Sequence, residues 1–214
     1  DTYIIYWGTT PGSETNSAYS NTNSYTHTVA LGQGTWYVKV RAYDAVDNPS
    51  AFSGNGSVLI DTTDPDAPID LGATPSGWTS TDSFQVNWTN PSDPSGIQGA
   101  YYRKDNVPTF DDDGTWTTSK PITGITVGTS GSHPIYVWLK DNANNVSYLN
   151  RSTTTLNLDI TAPSQPGTPS TTTPTNDTTP TWNWTASTDD HSGLRANDTY
   201  IIYWGTTPGS ETNS

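Results

Sequence analysis

The stretch "VNWTNPSDPSGIQGAYYRK", residues 86–104, decides the architecture. A short run centred on Trp88 gives way to a loop of Pro, Asp, Ser and Gly, and then to the tyrosine-rich run from Gly99 to Lys104. Strand, turn chemistry, strand is the simplest reading. The same punctuation recurs along the chain: runs of five to eight strand-forming residues are separated by Pro, Gly, Asn and Asp, with no helical periodicity. About seven such runs per hundred residues point to an all-β chain of antiparallel β-sandwiches. For the middle of the chain the pattern predicts strands near residues 66–73, 82–89, 98–104, 115–119, 122–128, 134–140 and 147–158. Trp88, Tyr101, Ile125, Tyr136 and Trp138 are the expected core residues.

Working outward, the layout repeats. "DTTDPDAP" at Asp61 matches "DITAPSQP" at Asp159, and "FQVNWTNPSDPSGI" matches "PTWNWTASTDDHSGL", each followed by a tyrosine-rich strand. "IYVWLKDNANNVS" from Ile135 likewise matches "WYVKVRAYDAVDNPS" from Trp36. A second repetition is exact: "DTYIIYWGTTPGSETNS" occupies residues 1–17 and again 198–214. The expected organisation is therefore one complete sandwich module over 61–158, flanked by the C-terminal part of a split module over 1–60 and the N-terminal part of the next over 159–214. Both ends read as excerpts of a longer array, each supplying strands that the other needs.

Composition narrows the function classes. The 214 residues carry 8 Lys and Arg against 21 Asp and Glu, a net charge of −13. Nucleic acids and anionic membrane surfaces call for a basic patch, so neither is expected as a partner. Only 14% of residues are charged, whereas Ser and Thr supply 62 positions. Nine Trp and twelve Tyr in strand-like runs nevertheless give each module large side chains to bury, which favours folded β modules over disorder. No cysteine is present, so disulfides and thiol chemistry are excluded. No apolar run is long enough to span a bilayer as a helix.

With these residues in view, "VNWTNPSDPSGIQGAYYRK" resembles the B strand, BC loop and C strand of fibronectin type III domains. "LGQGTWYVKVRAYD" resembles the tyrosine-corner segment of that family, with Leu31 six residues before Tyr37; Gln33 stands where the family usually has Pro. The pattern Asp-x-Ala-x-Asn-x-Ser over residues 141–147, followed by Asp-x-Thr-x-Pro over 159–163, is similar to the tandem Ig-like repeats of large prokaryotic surface proteins such as adhesins, stalks and filaments. The resemblance implies fibronectin type III or Ig-like sandwiches in tandem. It is specific for architecture and weak for function.

One constellation carries chemistry. In this topology the BC loop, the FG loop and the entry to strand A meet at one end of a module. That end of the complete module would gather Asp61, Asp64, Asp66, Asp93 and Asp141; that of the split module would gather Asp159, Asp189 and Asp190, with Asp44 and Asp47 from a further copy. Three carboxylates about 5 Å apart repel by roughly 3 kcal/mol per pair at an effective dielectric of ~20, which rivals the stability of a small domain, about 5–15 kcal/mol. Either the loops splay or a cation sits among them. Calcium, with its roughly six to eight oxygen ligands, suits such loops, and the resemblance implies it too, since related adhesin repeats stiffen their junctions with calcium. The competing reading takes each Asp as a turn former bonded to its own backbone. Asp111, Asp112 and Asp113 lack EF-hand spacing and read as a solvated turn.

His27, His133 and His191 fall in separate turns or loops. No nucleophile elbow is present. Although Asp189 and Asp190 form an acid pair of the kind glycosidases use, a sandwich of this size offers no deep cleft. The chain is therefore not expected to be an enzyme. Trp78 and Trp116, on predicted turns, are the candidate sugar-stacking aromatics. Seven sequons, at Asn55, Asn87, Asn145, Asn150, Asn176, Asn183 and Asn197, are candidate glycosylation sites.

The expected function is that of a structural repeat unit in an extracellular, cell-surface stalk or filament. Its partners would be further copies of itself, in one chain or in neighbouring subunits that complement each other's strands. Two alternatives stand beside it: an adhesive repeat binding a surface glycan or protein, and accessory modules of a secreted hydrolase.

Overall fold

The computed structural model describes residues 2–197 and 199–209. Asp1, Asp198 and residues 210–214 of the repeated phrase lie outside that range. Every regular element among the described residues is a β-strand, and no helix is long and apolar enough to cross a membrane.

Eleven strands occur in order: β1 (Thr2–Gly8), β2 (Asn16–Ser20), β3 (Gly34–Tyr43), β4 (Gly56–Ile60), β5 (Ile69–Thr74), β6 (Phe84–Thr89), β7 (Ile97–Lys104), β8 (Thr115–Thr117), β9 (Ile122–Ile125), β10 (Gly131–Asp141) and β11 (Val146–Leu158). They form three sheets, ordered β2-β1-β3-β4, β11-β10-β7-β8 and β5-β6-β9. Written from the other edge, the second sheet is β8-β7-β10-β11. The first two sheets thus share one antiparallel order, β1 matching β7 and β3 matching β10. The repetition in sequence is a repetition of sheet topology.

The strands obey their side-chain period. In β6, Phe84, Val86 and Trp88 are buried while Asn87 and Thr89 face out, so alternate side chains line one face. Each such buried side chain contributes about 1.5–3 kcal/mol. Strand β10 is buried on both faces. Ile135, Val137 and Leu139 are enclosed on one, and Trp138 on the other. This revises the expected core: Trp88, Ile125 and Trp138 are buried, but Tyr101 and Tyr136 are only half-buried. Tyr136 alternates with the aliphatic row, and Tyr101 stacks on Trp138, with ring centroids 5.7 Å apart.

All seven strands expected in the middle of the chain are present. The first starts three residues later than expected because Pro65 and Pro68 withhold ladder donors. The strand expected to run to residue 128 stops at Ile125, before Gly128 turns into the left-handed region at φ 82°.

Contacts divide the chain into two compact units. The first comprises Asp1–Leu71, Asn87–Ile122 and Ile135–Thr154; the second comprises Gly72–Val86, Thr123–Pro134 and Thr155–Ser214. In the second unit, the strands expected from "PTWNWT" and "TYIIYWG" do not form as ladders. Between residues 159 and 209 there are isolated bridges only, one of them joining Ser170 and Asn183. The same letters at Thr2–Gly8 form β1, paired with β2 on one side and β3 on the other. Pairing, and not local sequence, makes the strand.

Candidate functional site: an acid cluster and two linker clamps

Of the ten candidate acids, three come together. One carboxylate oxygen from each of Asp61, Asp93 and Asp141 lies within 4.8 Å of the others. Asp61 and Asp141 are buried and Asp93 is half-buried. Asp61 comes directly after β4, Asp93 lies in the loop between β6 and β7, and Asp141 ends β10. Asp64 and Asp66, exposed in the linker, are outside this cluster.

The cluster is held by amides. Asp61 Oδ1 accepts from Thr63 N at 3.1 Å, and its Oδ2 from Ser95 N at 3.0 Å. Ser95 N is shared with Asp93 Oδ1, which also takes the Ser95 hydroxyl, both at 3.0 Å. Asp141 receives Asn145 twice, backbone N on Oδ1 and Nδ2 on Oδ2, each at 2.7 Å. Asn145 Nδ2 also donates to the carbonyl of Asp61 at 3.1 Å, joining the turn after β10 to the linker. Each carboxylate oxygen has two lone pairs, and those of Asp61 and Asp141 each accept only one of these bonds. The donor set is all oxygen, in irregular loops, which fits calcium. Asp61, Asp93 and Asp141 would be its ligands.

A second constellation has the same plan. Asp159 Oδ1 accepts from Thr161 N, and its Oδ2 from Ser192 N, both at 3.0 Å. Asp189 Oδ1 accepts from His191 N at 3.1 Å and Gly193 N at 2.9 Å. Asp190 is exposed. Asp44 repeats the turn of Asp141: its Oδ1 takes Asn48 N at 2.8 Å and its Oδ2 takes Asn48 Nδ2 at 2.9 Å. Asp47 and Asn144 hold the matching left-handed position, at φ 65° and 75°.

Each linker is tied backward as well. In the first unit, Gln33 Oε1 accepts the hydroxyls of Thr63 at 2.7 Å and Thr62 at 3.3 Å. In the second, Ser130 Oγ accepts Ile160 N at 2.9 Å and lies 2.8 Å from Thr161 Oγ1. Gln33 and Ser130 both immediately precede a positive-φ glycine, Gly34 and Gly131, that starts a strand. Each linker is therefore clamped to the loop before it and to the loop after it.

Sequence reasoning missed the clamp residues Gln33, Ser95, Ser130, Asn145 and Ser192. Their signals were present: Asp-x-Thr in both linkers, Ser-Gly closing both acidic loops, and Asp-x-x-x-Asn in "DAVDN" and "DNANN".

The other candidates also have defined places. Trp116 belongs to β8 rather than to a turn, and its ring lies so close over Gly99 that a Cβ there would meet its Cη2 at 2.7 Å. Trp78 and His191 meet edge to face at 5.7 Å. His27 packs on Trp7 and Tyr25, and His133 Nε2 lies 3.0 Å from the Thr129 carbonyl. The run Asp111–Asp113 is more than a solvated turn: Asp113 pairs with Arg103, and Asp111 accepts Tyr148 N at 3.0 Å. Among the sequons, the Asn145 amide is engaged as above and Asn150 Nδ2 donates to the Pro65 carbonyl at 2.8 Å. Asn55, Asn87, Asn176, Asn183 and Asn197 are exposed.

Electrostatics are set by these bonds. Hydrogen bonds from Ser192 and then Thr161 hold the Asp159 carboxyl below its usual range. At Asp61, burial works upward, but the donors Thr63 and Ser95 outweigh it and the net shift is downward. A carboxyl depressed in the folded state adds stability that is complete above its unfolded pKa of about 3.9 and is lost as pH falls through the folded value. In metal-free buffer the melting temperature should therefore change little from about pH 6 to 5 and fall steadily below about pH 4. A transition that held level or rose below about pH 4 would contradict the clamp.

No family model matches this chain, and no curated protein matches it. Among solved structures, the FN1–FN3 domains of chicken CNTN1 align at 15% identity with a TM-score of 0.44, over 73% of this chain and 53% of that one. The all-β, antiparallel assignment rests on the strands themselves.

Proposed function

We propose that this chain is a structural repeat unit of an extracellular, cell-surface stalk or filament, built from tandem fibronectin-like modules with boundaries near residues 61 and 159. The observation that carries this reading is the repeated linker clamp. Asp61 and Asp159 each bind the acidic loop downstream of them through Ser95 and Ser192, while Gln33 and Ser130 hold each linker to the loop upstream. A free linker would let neighbouring modules swing; one bonded on both sides limits flexion, as a spacer under tension requires. Calcium at Asp61, Asp93 and Asp141 would stiffen that junction further.

The reading predicts a fixed axial repeat. A ten-residue strand spans about 33 Å, so a two-module unit should advance roughly 70–90 Å. Electron micrographs of the protein carrying this chain should show fibres with that period. Globular particles without an axial repeat would overturn it.

A further inference from the structure

We infer that this chain associates head to tail with a second copy of itself, the segment 165–204 of one copy seating on the β2-β1-β3-β4 sheet of the next. The inference rests on the repeat-unit reading and identifies where one unit meets another.

The first half of the argument is an identity of sequence in two environments. Thr2–Gly12 and residues 199–209 are the same eleven letters. As β1, the first stretch lies between β2 and β3, and Ile4 and Ile5 are 8% and 6% exposed. In the second stretch, Ile201 and Ile202 are 67% and 52% exposed, and Tyr203 and Trp204 are exposed as well. A segment whose letters are those of a central strand here stands without a ladder. The slot that fits it is the one β1 occupies, with Ile202 opposite Ala18 and Val40, and Tyr203 opposite Ser17 and Lys39, as Ile5 and Tyr6 are.

The second half is a pair of complementary deficits. Counting back from Asp44 and Asp141, Val38 and Val40 of β3 match Ile135 and Val137 of β10. Ile135 and Val137 are fully buried; Val38 and Val40 are only half-buried. They line an apolar cleft of about 350 Å³ with Ile5, Trp7, Leu31 and Trp36. Counting back from the shared Asn-Trp-Thr, Val86 of β6 matches Trp182. Val86 is fully buried, and Trp182 is half exposed beside Pro166, Trp184 and Tyr200. One region has a sheet face without cover, and the other has the counterpart of a covering strand without a sheet.

Entry of Tyr200–Trp204 displaces an identical β1, so that exchange is balanced strand for strand. The drive is the cover brought by residues 165–184, which lead into Tyr200 and would bury both the cleft and Trp182. Such a contact joins different surfaces on the two partners, so it does not close on itself and extends as a filament.

Sedimentation velocity of the 214-residue chain over a range of concentrations should show growing linear oligomers. Ile202→Asp, at an exposed position, should leave the melting curve of the monomer unchanged and weaken association by at least about tenfold. The register is tested by mixing two single variants, Tyr203→Cys and Lys39→Cys, in a chain that has no other cysteine. Oxidation should cross-link position 203 of one chain to position 39 of the other. A monomer at every concentration, association unaffected by Ile202→Asp, or no cross-link between 39 and 203 would each overturn the inference. Those failures leave the stalk reading intact, since modules joined in one polypeptide would still give the axial repeat.

Discussion

Trp138→Ala should lower the unfolding free energy by about 3–5 kcal/mol, the range for removing a fully buried large aromatic. Small domains hold about 5–15 kcal/mol in all, so the variant should melt far below the parent protein or fail to fold. Trp138 is fully buried on the face of β10 opposite the aliphatic row. Its indole Nε1 donates to the Asp111 carbonyl at 2.6 Å, pinning the loop before β8. Tyr101 stacks on the ring at an interplanar angle of 16°. The ring also lies so near Gly114 that a Cβ there would meet its Cη2 at 2.6 Å. No neighbour can collapse into the space the indole leaves, because backbone walls it in. Trp138→Phe separates the two contributions: most of the packing stays while the Asp111 carbonyl loses its donor, an expected cost of about 1–3 kcal/mol. Urea denaturation of both variants is the measurement. A loss below about 1 kcal/mol for Trp138→Ala, well under the range for a buried aromatic, would show that the second face of β10 is not core.

That second face was half legible in the sequence. A Trp in a strand-like run marks burial, but alternation assigns one face to the core, and Tyr136 and Trp138 occupy the same parity. Placing both in the core left Ile135, Val137 and Leu139 without a role. The structure buries both parities at Trp138 because the loop carrying Asp111 and Gly114 closes over the outer face there, a contact across more than twenty residues that no local pattern encodes. Strand existence was legible for the same reason that strand facing was not: turn residues punctuate locally, whereas burial is set by segments that arrive from elsewhere in the chain. Residues 199–205 make the point most sharply. Their letters read as a strand, and at Thr2–Gly8 they form one; without partners they do not. The acid cluster divides in the same way. The meeting of Asp61, Asp93 and Asp141 was readable from loop order in a sandwich, but Ser95 and Asn145, which hold them, act through amides whose donor roles depend on the turn conformations around them.

Calcium should raise the melting temperature of this protein, and Asp93→Asn should abolish the increase. At ~10 mM calcium, ten to a hundred times the ~0.1–1 mM dissociation constants common in extracellular modules, linkage gives about 1.4–2.7 kcal/mol. Asp93 is the informative position because its structural and electrostatic roles separate. The asparagine carbonyl can still accept Ser95 N and Oγ as Asp93 Oδ1 does, so the loop keeps its hydrogen bonds while the cluster loses a charge. Without metal, removing one of three carboxylates that lie within 4.8 Å of one another relieves repulsion, and the variant should be at least as stable as the parent. With calcium the order should reverse, because the parent gains metal binding and the variant does not. A role confined to turn formation would shift both conditions alike and give no reversal. Melting curves of the two proteins, each with chelator and with calcium, decide it. If the parent's transition is the same in both, the three acids are held by Ser95 and Asn145 alone, and the junction is stiffened by hydrogen bonds without a metal.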